Sequence, residues 1–128
     1  MSAGAHQRAA APHDDPESLL DAFLAALDDG DPAHAAAALW PLLGGRPARD
    51  VGDADGLARV LANDRHRPLL EASRRTRVAW DRRDRAARAE LRFEPASGGA
   101  PHTWLVSLAL GADGRWTLTG LQREGFEV

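Results

Sequence analysis

Residues 102–122 read HTWLVSLALGADGRWTLTGLQ, and this stretch decides the fold. Over 102–110, Trp104, Val106, Leu108 and Leu110 share one face; Thr103, Leu105, Ser107 and Ala109 share the other. A period of two is that of a β-strand. Ala112-Asp113-Gly114 has the chemistry of a tight turn. Alternation resumes over Arg115–Gln122, with Trp116 and Leu118 together. The segment is therefore an antiparallel hairpin. The second face of its first strand is also largely apolar, which predicts a central strand covered on both sides.

The same period extends upstream. Over 86–94, Ala87, Ala89, Leu91 and Phe93 take one face; Arg88, Glu90 and Arg92 take the other. Ser97-Gly98-Gly99-Ala100-Pro101 is a loop. Asp81–Asp84 reads as a hairpin turn. Before it, Thr76, Val78 and Trp80 alternate with Arg75, Arg77 and Ala79. Four strands joined by short turns make an antiparallel meander.

Before Ser73 the period is helical. Asp14-Asp15-Pro16-Glu17 carries an acidic N-cap, Pro in the first helical turn, and an acid facing the helix dipole. Leu19, Leu20, Phe23, Leu24 and Leu27 follow at helical spacing, and Gly30 closes the helix. Asp31-Pro32 opens a second helix through Ala33–Leu39, which stops near Trp40-Pro41. Asp53 or Asp55 caps a third, roughly over residues 54–63, with Leu57, Val60 and Leu61 inward. Residues 44–53 read as a loop rich in Pro, Gly and Asp. Pro68-Leu69-Leu70 reads as one short turn. Helices first and a meander second is the α+β order, with helices packed on one face of a curved antiparallel sheet.

Composition limits the chemistry. The chain has 128 residues, which suits one domain. We read residues 1–13 as a disordered tail and 14–128 as that domain. There is no Cys, Tyr or Lys. This excludes disulfides, thiolate metal sites, Cys nucleophiles, Schiff-base lysines and a P-loop Lys. Net charge is −3, unevenly placed. Residues 14–64 hold eleven acids against three Arg, a balance of −8; residues 65–92 hold ten Arg against four acids, a balance of +6. The two halves can pair within one fold or across a dimer. No apolar run is long enough for a signal peptide or a membrane span, so the expected location is the cytoplasm, without membrane contact.

Three runs carry a resemblance to a known superfamily. The first is Leu19–Leu43: a helix, Gly30-Asp31-Pro32, then an Ala-rich helix ending in Leu39-Trp40-Pro41. The second is Gly114-Arg115-Trp116-Thr117-Leu118-Thr119-Gly120 in the closing hairpin. The third is the order of helices before meander. Together they cover about 100 residues, and the chain resembles the nuclear-transport-factor-2-like (SnoaL-like) superfamily. The resemblance implies a cone-shaped, cystatin-like barrel, a pocket between sheet and helices, and a homodimer. It does not select one activity, since the superfamily holds isomerases, cyclases, dehydratases and non-catalytic binders. Ketosteroid isomerases hold an oxyanion with a Tyr and a protonated Asp, and this chain has no Tyr. Where a cyclase-like His–Asp pair would stand, the chain has Gln122-Arg123-Glu124.

Candidate site residues follow from the inward faces. Trp40, Trp80, Phe93, Trp104 and Trp116 are the expected lining of a pocket for a small apolar molecule, or plain core. His102 shares a face with Trp104 and is the weak candidate for a general base. His66, between Arg65 and Arg67, reads as surface. No His spacing suits a metal, and Gly44-Gly45 and Gly98-Gly99 lack phosphate-loop context, so no cofactor is expected. Three functions remain open: a non-catalytic ligand-binding domain; an isomerase- or cyclase-like enzyme with a pocket His or carboxylate as base; and an Arg-rich module for anions or nucleic acid. The last is the least favoured, because no aromatics interleave with the arginines.

Overall fold

A computed structural model of the chain describes residues 11–123. Its first helices start where their caps place them. Asp15 receives the Ser18 backbone N–H at 3.1 Å, and Pro16 opens α1 (Pro16–Leu27). Asp31 receives the His34 N–H at 3.0 Å and opens α2 (Pro32–Leu39). Each carboxylate satisfies a backbone donor that the helix itself leaves unpaired. A 3-10 turn, Trp40–Leu42, follows α2.

The segment expected as a loop then holds another helix, α3 (Gly45–Val51). Its sequence, GRPARDV, has no apolar period to reveal it. Pro47 is tolerated because it lies in the first turn, where backbone N–H groups have no helical partner. Gly52, at φ 85°, ends the helix in a conformation that disfavours other residues. Just before α3 the chain touches the sheet: Leu43 bridges Leu118, and the Gly44 N–H donates to Leu118 O at 2.9 Å. Asp53 then caps α4 (Ala54–Ala62), and α5 (Arg67–Leu70) leads into the strands.

The strands are β1 (Ala72–Arg82), β2 (Ala86–Pro95), β3 (His102–Leu110) and β4 (Trp116–Arg123). They pair antiparallel in the order β1-β2-β3-β4 and form an open sheet. The class is α+β. Among the described residues the sheet does not close into a barrel. Bulges between Arg77 and Ala79 and between Ser107 and Leu108 break the ladders and bend the strands.

Three details of the strands differ from the sequence expectation. The bulge in β1 shifts its faces: Arg75, Arg77, Trp80 and Arg82 lie opposite Phe93, Leu91, Ala89 and Ala87, on the core side. Thr76 and Val78 face outward, and Val78 is 50% exposed. An extra residue reverses a period-two pattern, so alternation alone assigned the wrong face. β1 also runs on to Arg82, so the turn falls at 83–85, closed by Arg83 N–H to Ala86 O at 2.7 Å. Finally, the second face of β3 is only half-buried, not covered: Thr103, Leu105, Ser107 and Ala109 are all intermediate.

The core lies between the helices and one sheet face. Leu19, Leu20, Phe23 and Leu27 of α1 and Ala35, Ala36 and Leu39 of α2 meet Leu91, Phe93, Trp104, Val106 and Leu118. No polar or charged residue is fully buried among the described residues. Residues 1–10, most of the segment read as a tail, lie outside the described residues. Pro12–Asp14 forms a 3-10 turn, and His13 Nδ1 bonds Trp116 O at 2.8 Å. No helix of the described residues is long and apolar enough to cross a membrane.

Candidate functional site

A cavity of about 590 Å³ opens between the helices and β4. Phe23, Leu39, Leu43, Leu57, Val60 and Leu61 supply its helical wall, and Leu118 and Leu121 its strand wall. Its polar residues are Arg46 and Asp50 on α3, His66, Thr119 and Gln122. A few polar groups set in apolar walls, at a volume within the ~300–1,000 Å³ usual for ligand pockets, are the marks of a small-molecule site. The missed helix α3 supplies Arg46, Pro47, Asp50 and Val51 to this wall.

None of Trp40, Trp80, Phe93, Trp104 and Trp116 is among the lining residues. Phe93, Trp104 and Trp116 are buried in the core, the first two with ring centroids 6.4 Å apart. Trp40 and Trp80 are half-buried against its edge. Arginines cover several of these rings: Arg77 lies 5.2 Å from the Trp80 centroid, Arg82 5.7 Å from Trp116, and Arg75 5.7 Å from Phe93. Such stacking is attractive, because a cation meets the negative face of the ring.

His102 stands elsewhere, in a cleft lined by Pro68, Glu71, Pro95 and the residues of the β2–β3 loop. Its Nδ1 pairs with the Arg123 guanidinium. A guanidinium only donates, so Nδ1 accepts and its lone pair is engaged. Burial, and then the Arg123 charge, hold its pKa below the ordinary imidazole value. His102 is therefore neutral at pH 7, with its one basic nitrogen already occupied.

His66 is the residue that the sequence reading missed. It lines the cavity, half-buried, with its ring tilted against Trp104 at 5.9 Å between centroids. Asn63 turns it inward: Asn63 Oδ1 receives the His66 backbone N–H at 2.9 Å and lies 3.0 Å from His66 Nδ1. Burial, and then the charge of Arg65, lower its pKa. Flanking arginines suggested a surface position. The signal available against it was Asn63, a residue type that closes a local side-chain turn onto the backbone a few positions later, here at His66.

The basic segment is largely engaged within the fold. Arg75, with only 9% of its side chain exposed, donates to Leu27 O at 3.1 Å, to Leu69 O at 2.9 and 3.2 Å, and to Asp28 Oδ1 at 2.6 Å. It thus joins the C-terminal ends of α1 and α5. Burial lowers its pKa, and Asp28 acts in the opposite direction. Arg77 lies 3.6 Å from Glu17, and Arg82 3.8 Å from Asp15. Arg85 donates to Leu110 O and Gly111 O at 3.2 and 3.1 Å. No group of three or more acids or His suited to a metal occurs among the described residues.

Comparison with known proteins finds no match to this chain: no protein-family model, no curated protein and no solved structure.

Proposed function

We propose that the chain is a small-molecule-binding domain of nuclear-transport-factor-2-like architecture that holds an apolar ligand without catalysis. The observation that carries this reading is the 590 Å³ cavity with largely apolar walls between helices and sheet. Helix-before-meander order and the Gly30-Asp31-Pro32 and Gly114–Gly120 runs support the architecture, and with it a homodimer. Trp104 stands against His66 and so reports on the cavity. The test is intrinsic Trp fluorescence and thermal shift against steroids, polyketide-like aromatics, fatty acids and nucleotides. We expect saturable stabilisation by an apolar member, since a ligand bound only to the folded state raises its melting temperature. Filling the cavity with Val60→Trp should abolish that response while leaving the fold intact. A flat response across the panel would overturn the reading.

One observation favours an enzymatic alternative. His66 is an imidazole on the cavity wall with a lowered pKa, the condition a general base requires. In this alternative His66, rather than His102, is the base. Turnover of a bound ligand by the wild-type protein, lost in His66→Phe, would establish it.

A further inference from the structure

The hydrogen-bonding state of His66 is settled by its neighbours. Asn63 Oδ1 receives a backbone N–H, so that atom is the amide oxygen and can only accept. His66 Nδ1, 3.0 Å from the same oxygen, must then carry the ring proton. In the neutral ring the lone pair sits on Nε2. Burial and the Arg65 charge favour that neutral form. No hydrogen bond to Nε2 is made by the described residues. Beside this ring, Trp104 is 1% exposed, and its Nε1–H has no partner among the described residues. His66, whose acceptor is unused, is one of the cavity's lining residues, and Trp104, whose ring centroid is 5.9 Å from that of His66, holds an unused donor just behind the wall. A hydroxyl is the small neutral group that both donates and accepts.

We infer that the cavity selects an apolar molecule bearing a hydroxyl group, whose O–H donates to His66 Nε2. This rests on the small-molecule reading above and names the polar group that its ligand carries. An apolar body buries against Leu57, Leu61, Leu118 and Leu121. A ligand without a donor leaves the imidazole lone pair unpaired and desolvated, which penalises it.

Menthol and menthone test this. They share an apolar body, and menthone keeps a polar oxygen but has no donor. Calorimetric titration of the full chain should show menthol binding roughly tenfold more tightly, the value of one good hydrogen bond. His66→Phe should abolish the preference and bring the two affinities together, because it removes both the hydrogen bond to menthol and the unpaired lone pair that penalises menthone. His66→Gln, which keeps an acceptor, should retain part of the preference. In the wild-type protein the preference should vanish as pH falls through the lowered pKa of His66, because protonation removes the lone pair. Arg46 and Asp50 line the same cavity, Arg65 and Arg67 flank the ring, and Asp64 lies 3.6 Å from Arg67. The arginines keep their charge over this range, and an Asp50→Asn background removes the carboxylate from the cavity wall. Equal affinities, or a preference that survives His66→Phe, would overturn the role of His66 and leave the cavity as a binding site. Binding of neither compound would count against the small-molecule reading and against this inference with it.

Discussion

Arg75 shows how one side chain decides more than its charge suggests. Its partners are mainly carbonyl oxygens in the last turns of helices, where the helix itself leaves C=O groups without a partner. Asp28, at 73% side-chain exposure, is the weaker partner. Removing the guanidinium leaves desolvated carbonyls, whereas removing the carboxylate leaves a surface that water can serve. We expect Arg75→Ala to cost about 2–4 kcal/mol and Asp28→Asn less than about 1 kcal/mol in urea unfolding. Comparable losses from the two would refute this assignment. The contrast was not readable in the sequence, where both residues belong to charged runs. His66 and His102 make the same point. His66 read as surface and His102 as the weak candidate base, and only the turn at Asn63 and the approach of Arg123 show that the lone pair of His102 is engaged whereas His66 donates from Nδ1 and keeps its own.

Elements were legible where their ends carry chemistry. Asp15, Asp31 and Asp53 each receive an N–H three residues on, so α1, α2 and α4 begin at their caps. Helix α3 has no such cap and no apolar stripe; its position depends on contact with β4. A Cβ on Gly44 would lie 2.2 Å from Thr117 Oγ1 and 2.6 Å from Thr117 Cβ. Gly44→Ala should therefore push the start of α3 away from β4 and cost about 1–3 kcal/mol. Adding Thr117→Ala should recover part of this loss, since it removes Oγ1 and Cγ2 but leaves the Cβ. Unchanged thermal stability in Gly44→Ala would show that the two segments separate freely. The faces of β1 were misread for a related reason: a bulge is a property of the pairing, not of one strand.

Across the whole molecule, the acidic first half and the basic middle meet within one chain, Asp15, Glu17 and Asp28 against Arg82, Arg77 and Arg75. Near neutral pH, two histidines are expected to shape its response. His66 and His102 both have folded pKa values below the ordinary one, from burial first and a neighbouring arginine second. The unfolded chain then binds more protons than the folded chain, so stability rises with pH through this window. The contribution is complete above the unfolded imidazole pKa and is lost as pH falls through the folded values. The melting temperature should drop between about pH 7.5 and pH 5.5, where His titrates and most carboxylates do not. His66→Phe should flatten that slope, and an unaltered slope would show that another group sets it. The sequence by itself determined the α+β class, the helix caps, the strand order and most of the core, because period and capping are local and repeat along the chain. The tertiary structure alone decided where the cavity lies, that His66 lines it, that Trp104 and Trp116 fill the core while Trp40 and Trp80 stay at its edge, and that the sheet stays open. Those features depend on which distant segments touch, and no local pattern of residues encodes that.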